Sequence, residues 1–179
     1  KGGIRIAPWI ESAEGVLQAL DVCRASPRLI AASFGSEDFS NDMGTQRTPE
    51  SKEIEWGRYA VATACAAAGI AALDAPEMDY KNLDQLERDA RFARSIGFQG
   101  KFCIHPTQVA VVNQVFQPTE DEIATARRIT AAYEEAERQG RGAIGLDGMV
   151  VDRPIYVRAL SLLASVDQAG PTEPANKES

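Results

Sequence analysis

The sequence alternates four times between a short apolar run and a longer amphipathic segment, and this pattern limits the folds that it can adopt. The apolar runs, each predicted to be a buried strand, span residues 4–10, 29–34, 70–73 and 101–104. Segments with the apolar spacing of a helix follow them, at residues 13–25, 53–69, 83–96 and 109–116. Strands that alternate with helices in this way predict an α/β fold, with parallel strands joined by crossover helices.

Polar residues cluster where the predicted strands end. They are Glu11, the pair Glu37 and Asp38, Asp74, and His105. A (β/α)8 barrel keeps its active site at the carboxyl ends of its strands, so this placement favours a barrel. An open doubly wound sheet is the alternative, although the glycine-rich dinucleotide-binding motif is missing from the sequence. A complete barrel has eight strands, and this sequence predicts four of them.

The remainder of the chain predicts a separate helical segment. Thr119 and Glu122 have the spacing of a capping box, which starts a long helix. A short hairpin then turns at residues 147–148, and Asp152 opens a last helix. We expect three regions: the barrel half at residues 1–117, a helical C-terminal extension at residues 118–168, and a disordered tail at residues 169–179.

The acidic composition argues against a nucleic-acid partner. The net charge is −7 and the isoelectric point is about 4.8, so the surface repels phosphate backbones.

No run of about 18 apolar residues predicts a membrane span, and the first residues lack the apolar core of a signal peptide. We therefore expect a soluble, cytoplasmic protein with no membrane partner. Its three cysteines are far apart and are expected to be buried, reduced thiols.

Five short motifs occur in a fixed order along the chain. They are PWIESAEGV at residues 8–16, FGSEDF at 34–39, ALDAP at 72–76, GKFCIHPTQ at 100–108 and DGMVVDRP at 147–154. In this order and spacing they resemble the HpcH/HpaI aldolase/citrate lyase family, specifically its citrate lyase β-subunit-like group. That group includes citryl-CoA, malyl-CoA and citramalyl-CoA lyases and some thioesterases. The resemblance covers nearly all of residues 4–168.

The resemblance implies a TIM barrel of which this chain holds strands five to eight, followed by the helical extension. The other half of the barrel would supply an arginine that binds the substrate and further acidic residues near the metal. The resemblance also implies a homo-oligomer, with a trimer as the expected state, in which the helical extension contacts a neighbouring subunit.

The activity implied by the resemblance is that of a Mg²⁺-dependent carbon–carbon lyase. Such an enzyme cleaves or forms a short hydroxyacyl-CoA thioester by retro-Claisen chemistry, with acyl-CoA thioesters and keto acids as its substrates. The resemblance implies Glu11 and Asp38 as the Mg²⁺ ligands and Asp152 as the catalytic base. The residues expected to contact the substrate are Gly35, Ser36, Glu37, Asp74, Pro76 and His105. The alternative functions are a malyl-CoA-type thioesterase and a non-catalytic barrel subunit.

Several of these side chains also have a purely structural interpretation. Glu11 and Asp38 could cap the helices that follow them, where a carboxylate is favourable. Asp152 could cap the last helix, and His105 could be a structural hydrogen-bonding residue. Lys101 invites a Schiff-base mechanism, but the resemblance to a metal-dependent family favours a solvated lysine at a strand edge.

Only one of the adjacent carboxylates Glu37 and Asp38 is expected to bind the metal. Because side chains alternate along a strand, the two are expected to point to opposite sides. We therefore predict that Asp38 is the ligand and that the Glu37 side chain is structural. The backbone N–H groups of residues 36–38 are expected to bind the substrate carboxylate.

Overall fold

The chain folds as two compact units, Lys1–Gln117 and Pro118–Ser179, and the computed structural model describes residues 3–169. The first unit contains β1 (Trp9–Ile10), α1 (Ala13–Leu17), α2 (Ala19–Arg24), β2 (Ala31–Phe34), α3 (Ser36–Asp42), α4 (Lys52–Ala68), β3 (Ala71–Asp74), α5 (Leu83–Ser95), β4 (Gly100–Lys101) and α6 (Pro106–Phe116). The second unit contains α7 (Glu120–Arg138), β5 (Ile144–Leu146), β6 (Met149–Val151) and α8 (Arg153–Ala169). The predicted disordered tail lies outside the described residues, except for Ala169 at the end of α8.

The first unit is built on a four-stranded parallel sheet, as the strand–helix alternation predicts. The strands lie in the order β1-β2-β3-β4, which is also their order along the chain. The register aligns Trp9 with Ser33, Ser33 with Leu73, and Leu73 with Gly100 across the four strands. A doubly wound sheet reverses its strand order at a switch point, whereas barrel strands follow one another in sequence, as these do.

The core of this unit lies between the sheet and its helices. Ile10 on β1 and Phe34 on β2 are buried there, and the Phe34 ring centroid lies 5.4 Å from that of Phe39 on α3. Both rings press on Gly57 of α4, where an added β-carbon would lie 3.0 Å from Phe34 and 3.2 Å from Phe39. Gly57 therefore allows α4 to pack closely on the sheet.

The opposite face of the sheet is exposed at β1 and buried at β2. Side chains alternate along a strand, so Trp9 points away from the core that buries Ile10. The Trp9 side chain is 43% exposed, and its ring centroid lies 4.5 Å from that of Phe102. The hydroxyl of Ser33 is fully buried on β2 and has no hydrogen-bond partner among the described residues.

Four charged side chains form a buried network that joins α4, β3, α5 and β4. Arg58 donates to both oxygens of Asp74, at 3.1 and 2.6 Å, and to Asp89 at 2.8 Å. Lys101 donates to Asp74 at 2.7 Å, to Asp89 at 2.5 Å and to the Ala75 carbonyl at 2.6 Å. Each buried charge thus has an opposite charge as a partner, which burial of ions requires.

The predicted elements near the N-terminus are longer than the observed ones. The strand predicted at residues 4–10 is limited to β1, with one isolated parallel bridge between Ile6 and Leu29. The helix predicted at residues 13–25 is divided into α1 and α2 at Gln18, where φ is −101° and ψ is 16°.

The second unit begins with the predicted capping box. The hydroxyl of Thr119 accepts from the N–H of Glu122 at 3.2 Å, and the Glu122 carboxylate accepts from the N–H of Thr119 at 2.7 Å. The predicted hairpin is also present, since β5 and β6 are antiparallel. Its turn residues Asp147 and Gly148 both have positive φ, which is typical of a type I′ turn. None of the helices formed by residues 3–169 has the length and apolar character that crossing a membrane requires.

Candidate active site

A cavity of about 260 Å³ opens where β1 and β2 end at the carboxyl edge of the sheet. The residues that line it are Trp9, Glu11, Gly35, Ser36, Glu37, Asp38 and Pro76. The two predicted metal ligands therefore line the same cavity, together with four of the residues predicted to contact the substrate. Parallel strands present their carboxyl ends at one edge, which is why residues distant in sequence meet there.

Glu11 lies between the end of β1 and the start of α1. The N–H of Gly35 donates to the carbonyl of Ile10 at 3.0 Å, so the pairing of β1 and β2 continues up to Glu11. The helix α1 is capped by Ser12, whose hydroxyl accepts from the N–H of Gly15 at 3.0 Å. The interpretation of Glu11 as a helix cap is therefore wrong, because the next residue performs that role.

Asp38 belongs to the short helix α3, which the sequence did not predict. The helix starts after Gly35, and its first intrahelical bond joins the N–H of Phe39 to the carbonyl of Gly35 at 3.1 Å. The argument from strand alternation is wrong here, because Glu37 and Asp38 are helical. Successive helical residues are rotated by only about 100°, so both side chains line the cavity.

The backbone at Gly35 passes very close to Glu11. A β-carbon added at this glycine would lie 2.5 Å from the Cβ of Glu11 and 2.7 Å from its Oε2. The backbone of Gly35 has φ −105° and ψ 97°, a conformation open to any residue. The lack of a side chain at Gly35 is therefore required by space, and it allows the Glu11 carboxylate to reach the β2–α3 turn.

The carboxylates that line the cavity differ in their partners. Glu37 accepts a hydrogen bond from the Nε of Arg47 at 3.0 Å, which forms an ion pair. Among residues 3–169, no side-chain partner is described for Glu11 or Asp38. A cation bound between two such carboxylates would be attracted by both negative charges.

This donor set fits a hard divalent cation. Mg²⁺ prefers carboxylate oxygens, is held by one or two carboxylates, and keeps the rest of its coordination for water and substrate. Within the part of the chain that the structure describes, no group of three acidic, histidine or cysteine side chains could hold a metal. Glu11 and Asp38 thus suit Mg²⁺ and would leave the other coordination positions of the cation open. The closed sites of structural zinc use four protein ligands instead.

Asp74 does not contribute its side chain to the cavity. It has no exposed surface, and its two oxygens bind Arg58 and Lys101. The prediction that Asp74 lines the substrate cleft is therefore wrong, because its polar atoms are turned into the protein. Lys101 is equally buried, so the description of a solvated strand-edge lysine is also wrong.

His105 has a structural role at the start of α6. Its Nδ1 accepts from the N–H of Thr107 at 3.3 Å, and its ring stacks on Tyr80 with centroids 4.6 Å apart. The side-chain oxygen of Gln108 accepts from the N–H groups of Ile104 and His105, which completes a capping box. The described lining of the cavity does not include His105. The structure therefore supports the hydrogen-bonding interpretation of this histidine.

A sequence model described as HpcH/HpaI aldolase/citrate lyase matches residues 1–106, more than half of the 179 residues. The chain belongs to the HpcH/HpaI aldolase/citrate lyase family. The resemblance inferred from the five short motifs is thereby confirmed.

Individual relatives in the HpcH/HpaI family support the same assignment. Citrate lyase subunit beta of Leuconostoc mesenteroides subsp. cremoris is 40% identical over 84% of this chain and 50% of that protein. The mitochondrial citramalyl-CoA lyase of Rattus norvegicus is 32% identical over 89% of this chain and 50% of that protein. The crystal structure of Mycobacterium tuberculosis CitE in complex with magnesium, acetoacetate and coenzyme A gives a TM-score of 0.78 at 30% identity. That comparison covers 91% of this chain and 61% of CitE. The chain spans about half the length of the curated relatives it matches.

In this member of the HpcH/HpaI family, Asp152 caps α8 in the second unit. Its Oδ1 accepts from the N–H of Ile155 at 3.3 Å, and its carbonyl accepts from the N–H of Tyr156 at 3.0 Å. The capping interpretation of Asp152 is therefore confirmed. Its Oδ2 has no hydrogen-bond partner among the described residues, so one carboxylate oxygen is left for another role.

Sequence reasoning missed two residues at the cavity of this HpcH/HpaI family member. Trp9 lines the cavity, and strand alternation could have placed it opposite the buried Ile10. Arg47 pairs with Glu37 from a loop ten residues further along the chain. No local spacing pattern connects an arginine in a loop to a particular carboxylate.

Proposed function

We propose that the protein is a Mg²⁺-dependent carbon–carbon lyase that acts on the CoA thioester of a short hydroxy acid, of the citryl-, malyl- or citramalyl-CoA kind. The observation that carries this proposal is the meeting of Glu11 and Asp38, without described partners, in one cavity at the strand ends. The complex of the similar CitE with magnesium, acetoacetate and coenzyme A supports the choice of metal and substrate class.

The four parallel strands would be strands five to eight of a (β/α)8 barrel. Their sequential order and the exposed Trp9, whose ring packs on Phe102, support this assignment. The remaining strands would cover that face and supply the arginine that binds the substrate. Residues 1–117 would then be the barrel half, and residues 118–168 the helical extension.

Glu11 and Asp38 would hold the cation. Bound there, Mg²⁺ would polarise the hydroxyl or keto oxygen of the substrate, which stabilises the transition state by several kcal/mol. The N–H groups of residues 36–38 precede the first intrahelical bond of α3, so they would be free to bind the substrate carboxylate. Pro76 lines the cavity beside them.

Asp152 would be the acid and base of the reaction, supplied by a neighbouring subunit of a homotrimer. In cleavage, the bond between the hydroxyl-bearing carbon and the carbon next to the thioester breaks. The hydroxyl would give its proton to solvent water and become the carbonyl of a keto acid, while the electron pair of the broken bond remains on the acyl-CoA as an enolate. Protonated Asp152 would donate its proton to that enolate carbon, and in the reverse direction its carboxylate would remove the proton.

Product analysis of the intact protein tests this function. A lyase releases a keto acid and an acyl-CoA from malyl-, citramalyl- or citryl-CoA in the presence of Mg²⁺, whereas a thioesterase releases free CoA. Asp38→Ala and Glu11→Gln should each lower turnover by about a thousandfold, since the metal supplies several kcal/mol. Glu14→Gln, on the neighbouring helix α1, should not change it. Turnover that does not depend on Mg²⁺ or on these two residues would contradict the proposal. A protein that neither binds Mg²⁺ nor cleaves these CoA thioesters would be a non-catalytic subunit.

A further inference from the structure

We infer that Arg47 is a positioning residue that keeps Glu37 out of the coordination shell of the cation bound by Glu11 and Asp38. The inference rests on the proposed function, because it concerns the charge and the open positions of that metal site. Three carboxylates line the cavity, and only Glu37 has a described cationic partner.

The geometry shows how Arg47 holds the Glu37 carboxylate. Its Nε donates to Glu37 Oε1 at 3.0 Å, and the hydroxyl of Ser36 lies 3.5 Å from the same oxygen. Glu37 directly precedes Asp38 on α3, so a freed carboxylate could turn toward a cation bound by its neighbour.

Arg47 is itself fixed at its other end. Its guanidinium also forms an ion pair with Glu53 at the start of α4 and donates to the hydroxyl of Ser51 at 3.3 Å. Glu53 in turn accepts from the N–H of Thr48 at 3.1 Å and from its hydroxyl at 2.7 Å. The Glu53 side chain is only 11% exposed, so the anchor of Arg47 is a largely buried ion pair that holds the guanidinium at the start of α4.

The anchor stays charged at neutral pH. Burial alone would raise the pKa of the Glu53 carboxyl, but the hydrogen bonds from Thr48 and the positive charge of Arg47 outweigh it. The pKa of Glu53 therefore lies below its usual value, and the ion pair with Arg47 is maintained.

Loss of this restraint would change the ion preference of the site. Glu37 freed from Arg47 adds a third carboxylate, which favours Ca²⁺ because Ca²⁺ accepts six to eight oxygen ligands. Mg²⁺ gains less, because it requires strict octahedral geometry and retains its waters. The third carboxylate would also occupy a position that the substrate needs.

Calorimetric titration of the intact protein with Mg²⁺ and with Ca²⁺, without substrate, tests the inference. Arg47→Met should raise the affinity for Ca²⁺ relative to Mg²⁺ by about tenfold, and Arg47→Met combined with Glu37→Gln should return the ratio to the wild-type value. Arg91→Met, which removes an exposed ion pair on α5, should leave the ratio unchanged.

Two further results separate the possible failures. Glu37→Gln alone leaves the ion pair between Arg47 and Glu53 intact and should keep the wild-type ratio of Ca²⁺ to Mg²⁺ affinity. A changed ratio would show that Glu37 is already a ligand and would overturn the inference. An unchanged ratio in a folded Arg47→Met variant would also overturn it, while leaving the proposed function standing if Glu11→Gln abolishes Mg²⁺ binding. Absence of Mg²⁺ binding in the wild type would overturn both.

Discussion

A β-carbon at Gly35 would lie 2.5 Å from the Cβ of Glu11 and 2.7 Å from its Oε2. The close approach of the Gly35 backbone to the Glu11 side chain brings the end of β1 against the turn between β2 and α3. It sets the direction in which the Glu11 carboxylate points. The same turn leads to Asp38 three residues later. One glycine therefore fixes the relative placement of the two proposed metal ligands.

Gly35→Ala should weaken Mg²⁺ binding without unfolding the protein. The added methyl group cannot share the space of the Glu11 side chain, so the carboxylate must move, and loss of such support lowers metal affinity about 10- to 100-fold. The backbone at Gly35 suits alanine, so the change is steric. Gly142→Ala, at an open position without a positive φ, is the matched control. Calorimetric titration measures both variants, and equal affinity for Mg²⁺ would contradict the account.

The buried network predicts a pH-dependent contribution of Asp89 to stability. Burial alone would raise the pKa of this carboxyl, but Lys101 and Arg58 outweigh it and hold the pKa below its usual value. A lowered folded-state pKa means that Asp89 contributes fully above the unfolded-state pKa of about 3.9 and that this contribution is lost as the pH falls through the folded-state value.

Asp89→Asn should therefore lower the free energy of unfolding by about 3 kcal/mol at pH 7, because it leaves buried cations undercompensated. The difference from the wild type should shrink as the pH falls below about 4. Urea unfolding at pH 7, 5 and 3 measures the difference, with Glu87→Gln on the exposed side of α5 as the control. A difference that stays constant over this range would exclude the electrostatic explanation.

Asp152 combines a cap with a proposed proton transfer, and two substitutions separate these roles. Asp152→Ala should lose the hydrogen bond to Ile155 and about 1 kcal/mol of stability, whereas Asp152→Asn should keep the cap. Both should abolish exchange of the acyl-CoA methyl protons with solvent, since neither a methyl group nor an amide can act as the base. If Asp152→Asn retains wild-type proton exchange by NMR, Asp152 is a structural cap only.

The three cysteines should differ in reactivity. Cys23 and Cys65 are buried, with sulfur atoms 3.9 Å apart, and burial raises the pKa of Cys65 to about 12. Cys103 is partly exposed, although burial also raises its pKa. A thiol reagent at pH 8 should modify Cys103 alone in the native protein and all three thiols in urea. Modification of Cys65 in the native protein at the rate seen for Cys103 would contradict the described core.

The sequence predicted the parts of the fold that depend on local chemistry. The long helix α4, the capping box of α7 and the hairpin turn follow from residues within one or two turns of each other. The meeting of Glu11 and Asp38 was predictable because both follow parallel strands, whose carboxyl ends share one edge. The helix α3 was not predictable in this way, since its seven residues offer few apolar positions to reveal a helical period.

The side chains whose position was predicted wrongly are held by partners that are distant in the sequence. Asp74 follows one predicted strand and Lys101 begins another, and they were interpreted as a cleft-lining and a solvated residue respectively. Their burial depends on Arg58 from α4, which pairs with Asp74, and on Asp89 from α5, which pairs with Lys101. Only the packing of four elements brings these side chains together, and no spacing within one segment reveals it.

Glu11 and Asp38 are proposed to bind one divalent cation. Crystals of the intact protein grown with Mn²⁺, a stand-in for Mg²⁺ that scatters anomalously, test it most directly. We predict a single anomalous peak in the cavity beside Gly35, within about 2.5 Å of a carboxylate oxygen from each of the two residues. A cavity without a peak, or a peak bound by other residues, would contradict the account.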